Sequence, residues 1–282
     1  MLSKVYVEIT NVCNLACSFC PKTDRAPRFM SPDEFAAAAD KLDGKTRYVY
    51  LHVMGEPLLH PQLGEILAIC AEHSLKTIIT TNGTLLGSAN ADAVLSSPAI
   101  YKVSASLHSY EANREGVSLA DYLGTVASFM KKSAARGIIS VMRLWNLDGD
   151  GTHGENSLNG EILSFLRGEY GGEWVTTRSG QRIADKTYIE WGEKFDWPDP
   201  EADYRGAGGY CYGVHDQIGI LSDGTVVPCC LDHNGDVALG NIFDSSLDEI
   251  LASERAVRMA EGFKNRRMVE ELCKRCGFAR HF

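Results

Sequence analysis

The chain has 282 residues, 44% of them apolar, with 28 Lys and Arg against 37 Asp and Glu for a net charge of −9. That is enough apolar sequence to bury a full core in one large or two small domains, and an acidic balance that argues against nucleic acid or an anionic membrane as partner. No apolar run approaches the roughly 18 residues of a membrane span and no basic-plus-apolar leader precedes the first strand, so the expected compartment is the cytoplasm, where thiols stay reduced and bind metals rather than form disulfides.

Val5-Tyr6-Val7-Glu8-Ile9 alternates β-branched and aromatic residues and reads as a first strand. The loop after it carries Cys13, Cys17 and Cys20 in a C-x3-C-x2-C spacing. With 9 Cys in 282 residues, such a trio arises by chance about 1% of the time. A structural metal site is normally closed by four protein ligands, whereas a site built for chemistry keeps one position open. Three thiolates on one loop suit a 4Fe-4S cluster with one iron unligated by protein; a zinc site closed by a distant fourth ligand is the other reading. Strand, ligand loop and helix in that order put the metal at the C-terminal end of a strand, where α/β barrels carry out their chemistry.

Further along, Ser31-Pro32-Asp33-Glu34 starts a helix, with Ser31 as N-cap and Pro32 at the first helical position, running to Leu42. A second strand is expected over Tyr48 to Val53, a second helix over Leu63 to His73, and a third strand over Thr77 to Thr81, closed by Asn82-Gly83. The fourth strand is Tyr101 to Ser106, the next helix runs from about Leu119 to Arg136, and the fifth strand is Ile138 to Trp145. The glycine-rich run Asp148 to Gly154 is a loop bordering the pocket. Between Gly168 and Gly209 short β-like runs such as Tyr188-Ile189-Glu190-Trp191 supply a sixth strand, with Phe195 and Trp197 as packing aromatics. Strands alternating with crossover helices imply a parallel sheet with right-handed connections, as an open sheet or a barrel. Arg143 lies among apolar strand residues and is costly to bury without an anion. Its anion is either a bound carboxylate or an acidic residue from a loop.

These features together resemble the radical S-adenosylmethionine (SAM) enzymes. The Cys13, Cys17, Cys20 loop matches that family's signature, with Phe19 in its aromatic slot, and Met54-Gly55-Glu56-Pro57 is similar to its Gly-Gly-Glu-Pro segment with Met54 in place of the first glycine. The resemblance implies an α/β fold, a partial (β/α)6 TIM-like barrel, with SAM on the open iron. It implies contacts from Gly55, Glu56 and Pro57 to the methionine amino group, and from Ser106 and Arg143 to its carboxylate. Asn82 is carried as a nucleoside contact or merely the first residue of an Asn-Gly turn. His108 is a weaker pocket candidate, equally readable as a core or solvated histidine.

The C-terminal segment holds Cys211, Cys229, Cys230, Cys273 and Cys276, while residues 71–210 contain none. Ile218 to Pro228 reads as a hairpin turning at Asp223-Gly224 and delivering Cys229 at its far end. Asp244 to Ala260 reads as one helix, and Cys273-Lys274-Arg275-Cys276 is a C-x2-C pair. Cys211, Cys229, Cys273 and Cys276 suffice to close one site, as a cluster or as structural zinc. Their setting, with Val227-Pro228-Cys229 and Leu239-Gly240-Asn241, resembles the shortened auxiliary-cluster module called twitch, related to the SPASM domain, and implies a second 4Fe-4S cluster. Residues 1–209 are then the barrel and 210–282 the auxiliary module. Cys70 is a core residue. Cys230 is a replacement ligand for Cys229, a bystander, or a hydrogen-atom donor of the kind peptide epimerases use.

By that resemblance an external one-electron donor such as flavodoxin or ferredoxin reduces the first cluster, the chain cleaves SAM reductively to a 5′-deoxyadenosyl radical and removes a substrate hydrogen atom, and the substrate radical's electron passes to the auxiliary cluster. The expected reaction is a net oxidation, of a peptide or protein or of a small-molecule alcohol. Two alternatives stand beside it: epimerisation through Cys230, and a non-catalytic protein with structural zinc or iron-sulfur sites.

Overall fold

The computed structural model describes residues 1–113, 116–149 and 154–281. In chain order its elements are β1 (Lys4–Val7), α1 (Pro32–Leu42), β2 (Tyr48–Tyr50), α2 (Leu63–Glu72), β3 (Lys76–Thr81), α3 (Ala89–Ser96), β4 (Ile100–Ser106), α4 (His108–Glu111), α5 (Leu119–Ala135), β5 (Ile139–Leu147) and α6 (Asn159–Tyr170). There follow β6 (Val175–Thr177), β7 (Gly180–Ala184), β8 (Thr187–Glu193), β9 (Gln217–Ile220), β10 (Thr225–Val227), β11 (Gly240–Asn241), α7 (Leu247–Leu251), α8 (Glu254–Lys264) and α9 (Glu271–Arg275).

The first helix shows why local sequence suffices for many of these. Ser31 accepts from the Glu34 backbone and Glu34 returns the bond to Ser31, a capping box, with Pro32 inside the first turn. Phe35, Ala38, Ala39 and Leu42 then fall on one buried face. Burying Phe35 and Leu42 contributes roughly 1.5–3 kcal/mol each.

The strands form one open sheet in the order β11-β10-β9-β1-β2-β3-β4-β5-β8-β7-β6. β1, β2, β3, β4, β5 and β8 pair in parallel in chain order, the six strands of a partial α/β barrel. The expected sixth strand is β8. β9 extends the same sheet in parallel on the other side of β1, and β10 returns antiparallel to it, so the sheet continues from barrel strand into C-terminal hairpin without a break.

Side chains alternate across this sheet. Val5, Val7, Val49, Leu51, Ile79, Val103, Ala105, Met142, Leu144 and Ile189 are buried in the main apolar core. The intervening positions, Tyr6, Glu8, Tyr50, His52, Thr80, Ser104, Ser106, Arg143 and Glu190, face the concave interior. A fully apolar parallel sheet is buried on both faces; here one face carries polar side chains at alternate positions.

The structure departs from the sequence reading in three places. The single helix expected over Asp244 to Ala260 is two, α7 and α8, because Ser253 leaves the helical conformation and caps Ala256. α3, α4, α6 and α9 fall where no helix was expected. The Gly168–Gly209 region adds an antiparallel hairpin, β6 and β7, to β8. Asp150, Gly151, Thr152 and His153 of the glycine-rich run lie outside the described residues; a Cβ on Gly154 would stand 3.6 Å from Phe19 Cβ, which puts the end of that run against the cysteine loop. Among the described residues no helix is long and apolar enough to cross a membrane.

Candidate functional site

The cysteine loop leaves the C-terminal end of β1 and returns through an antiparallel bridge between Thr10 and Phe29. Asn11 ties its two arms together, donating from Nδ2 to Ala26 O at 2.9 Å and accepting from Arg28 N at 2.7 Å. Within it Cys13 is exposed, Cys17 buried and Cys20 half-buried. Burial pushes the Cys17 thiol up to about 11; a bound metal ion reverses that by deprotonating its thiol ligands.

Residues 54–57 lie directly on this loop. Gly55 has φ +74°, and a Cβ there would stand 2.3 Å from Thr10 O and 2.9 Å from Val12 O, so only glycine permits the approach. Glu56 donates its backbone N–H to Val12 O at 2.8 Å. Its carboxylate is buried and accepts from Leu58 N at 3.0 Å and from Asn82 N at 2.7 Å. Desolvation raises the Glu56 carboxyl to about 7, against the hydrogen bonds that favour its charged form. The stabilising contribution of the protonated carboxyl is therefore complete below the usual value of 4.5 and is lost as pH rises through 7. In Glu56→Gln that pH dependence disappears, and one backbone N–H faces an amide donor at a cost of roughly 1–3 kcal/mol. Thermal unfolding at pH 5 and pH 8 measures both.

Asn82, at the end of β3, accepts from Thr84, donates 2.9 Å to Asn14 Oδ1 and brings Nδ2 to 3.9 Å from Cys13 Sγ. It thus meets the cysteine loop itself. Ser106 and Arg143 stand opposite one another on β4 and β5. The Arg143 side chain is 11% exposed and stacks 4.4 Å from the Trp145 ring, with Nη1 3.3 Å from Thr80 Oγ1. Its buried Nε makes no hydrogen bond, Glu190 Oε2 being 3.8 Å away. A second orphan is His52 Nδ1. The His52 ring lies edge-on to Tyr6 and Tyr50, and burial with the nearby Arg143 charge lowers its pKa to about 3, leaving it neutral. His108 is buried beside the Phe19 ring at 4.9 Å, with Nδ1 near the Arg143 carbonyl.

Cys229 and Cys230 follow β10. Cys229, Cys211, Cys273 and Cys276 line one cavity of about 230 Å³, and Cys230 and Tyr6 line it as well. Cys273 lies in α9 and Cys276 caps it, so one helical turn supplies two of the four thiols. Cys230 lies beside Tyr6 on the wall of that same cavity. It packs with Tyr6, Tyr50, Met54 and Cys20 in a small cluster of its own. Cys70 is fully buried in the main core. Among the described residues no three Cys, His, Asp or Glu side chains close on one ion's position; sulfurs 2.3 Å from a tetrahedral ion stand about 3.8 Å apart. The thiols are instead spread over loop and cavity wall.

Glu8, a strand residue the sequence did not single out, joins the two regions. Fully buried, it pairs with Arg25 at 2.7 Å and accepts from Met54 N and Ser222 N. Arg25 also reaches His233 O, Thr23 reaches Asn234, and Arg28 reaches Ser222 O. The contacts to the C-terminal segment lie 194 to 214 residues apart in sequence, and local patterning gives no signal for them.

The residues fit the groups that the cysteine patterns imply. Three thiols on an exposed loop leave a metal position open, a glycine cradle abuts it, and a buried guanidinium with an orphaned N–H stands where a carboxylate would satisfy it. Four further thiols share one cavity.

Comparison with known proteins agrees. The radical SAM superfamily matches residues 7–138 and the SPASM iron-sulfur cluster-binding domain residues 211–277. GTP 3′,8-cyclase of Chlorobaculum tepidum is 36% identical over 86 residues, 29% of this chain and 26% of its own length; the chain therefore spans about a quarter of that curated relative. In fold it is similar to BtrN in complex with AdoMet and 2-DOIA, at TM-score 0.54 and 18% identity over 98% of this chain and 93% of that one. It is also similar to Streptococcus suis SuiB bound to precursor peptide SuiA, at TM-score 0.64 and 15% identity over 98% and 71%. With a SAM-binding 4Fe-4S site at its N-terminal end and an auxiliary cluster module at its C-terminal end, the chain belongs to the radical SAM superfamily and carries a SPASM domain.

Proposed function

We propose that this chain is an oxidoreductase of that superfamily, in which residues 1–209 hold SAM and substrate and residues 210–282 hold one auxiliary 4Fe-4S cluster. The observation that carries the reading is the placement of two thiol sets on either side of one polar barrel interior, with Tyr6, His52, Arg143 and Cys230 between them. When bound, the first cluster and SAM supply a 5′-deoxyadenosyl radical that takes a hydrogen atom from an unactivated carbon. Cys13, Cys17 and Cys20 hold that cluster and leave one iron free. The backbone of Gly55, Glu56 and Pro57 would hold the methionine amino group of SAM, Ser106 and Arg143 its carboxylate, and Asn82 its nucleoside. Cys211, Cys229, Cys273 and Cys276 hold the auxiliary group, suited to accept the substrate's electron.

The substrate is a peptide or a small-molecule alcohol; BtrN is seen with 2-DOIA and SuiB with a precursor peptide. A flavodoxin or ferredoxin in the cytoplasm supplies the first electron. A second reading, epimerisation with Cys230 as hydrogen donor, is favoured by the packing of Cys230 against Tyr6, Met54 and Cys20, between the two thiol sets. In deuterated solvent, a two-hydrogen mass loss supports oxidation, and deuterium at an alpha carbon without mass loss supports epimerisation. Cys230→Ala is expected to keep full iron and Cys229→Ala to lose about four, one cluster's worth. The reverse result in iron analysis would exchange their roles.

A further inference from the structure

We propose that Asn113 positions the cysteine loop and raises the reduction potential of the cluster held there; this rests on reading Cys13, Cys17 and Cys20 as ligands of a 4Fe-4S cluster. Asn113 follows α4, 96 residues beyond the sulfur it touches. Its Nδ2 donates to Cys17 Sγ at 3.0 Å and to Ser109 O at 3.0 Å, while Oδ1 accepts from Ala16 N at 3.0 Å. The amide orientation is fixed by these neighbours. The Ala16 N–H requires an oxygen and the Ser109 carbonyl requires an N–H, so the remaining N–H points at sulfur.

Ser109 extends the connection, donating from Oγ to the carbonyls of Ser106 and Asn82. The carbonyl of Asn82 also accepts from Tyr122, and the Asn82 side chain lies beside Cys13. The ends of β3 and β4 are thus braced against two of the three thiols. Cys13 Sγ lies 3.5 Å from Leu15 N and 3.9 Å from Asn82 Nδ2, whereas Cys17 Sγ takes the shorter contact, 3.0 Å from Asn113.

An N–H aimed at a thiolate ligand stabilises the more negative, reduced cluster, and hydrogen bonds to sulfur are among the determinants of iron-sulfur potentials. Removing the Asn113 N–H makes the cluster harder to reduce. Asn113→Asp keeps an acceptor for Ala16 N–H, loses the donor and adds negative charge; Asn113→Ala removes all three contacts.

The test is an EPR-monitored redox titration of the full chain after anaerobic reconstitution. The signal that changes on adding SAM identifies the N-terminal cluster. Both variants are expected to keep the iron load and lower the reduction equilibrium constant two- to tenfold, tenfold being 59 mV for one electron, with Asp lowering it more than Ala and the auxiliary signal unmoved. Unchanged potentials at full iron load would overturn the proposal, as would loss of iron from both variants, which would make Asn113 purely structural. If the unaltered protein shows no SAM-responsive signal, the cluster reading itself fails.

Discussion

Replacing Cys17 by Ala is expected to remove about four irons of roughly eight, one cluster of two, and to abolish formation of 5′-deoxyadenosine. Cys17 is the buried member of the trio. Its sulfur is met by Asn113, and its backbone carbonyl accepts from Cys20 N at 3.1 Å. With two thiols left, the first site no longer has the ligand set that leaves a single iron open. The auxiliary thiols are lodged in a separate cavity among Leu272, Met268 and Pro228, so their irons stay. Iron analysis and chromatography of the nucleoside product check the two halves together. Loss of all iron, or retention of SAM cleavage, would contradict the assignment of two independent sites.

Glu8→Ala is expected to cost 3–5 kcal/mol of stability, on the order found when a buried ion pair loses one partner. The carboxylate is fully buried and satisfies three donors from three segments: Arg25 after the cysteine loop, Met54 beside the glycine cradle and Ser222 in the C-terminal hairpin. Its removal leaves the Arg25 guanidinium, 14% exposed, held among the described residues by the His233 carbonyl, and leaves two backbone N–H groups deprived of their carboxylate acceptor. Glu8→Gln keeps the shape, loses the charge and is expected to cost less. Chemical denaturation of both variants measures the difference. A cost under about 0.5 kcal/mol, the scale of ordinary surface substitutions, would show that the two regions are held together by other contacts.

Legibility in the sequence follows the range of the interactions. The thiol spacings, the capping box at Ser31, the Asp223-Gly224 hairpin and the strand and helix alternation are local signals, and each has its counterpart in the structure. The polar side of the strands was also visible as alternation. What those polar side chains meet was not, because Tyr6 finds Cys230 and Arg143 finds Glu190 only after strands close around the interior. The helix α3 escaped notice because Ala89–Ser96 spans barely two turns with weakly amphipathic composition, its start marked only by Ser88. The split between α7 and α8 depends on Ser253, a residue that helices tolerate in the interior but use far more readily as a cap. Asn113 and His52 carry no motif; their significance comes from a sulfur and two tyrosine rings supplied by distant parts of the chain.

The central claim is that two iron-sulfur sites flank one interior and that the first of them cleaves SAM. Anaerobic reconstitution followed by dithionite and SAM tests it most directly, with iron and 5′-deoxyadenosine measured on one sample. The account predicts roughly seven to eight irons per chain, the load of two clusters, with 5′-deoxyadenosine formed. Full metal loading with no 5′-deoxyadenosine, or four thiols closed on a single zinc, would contradict it.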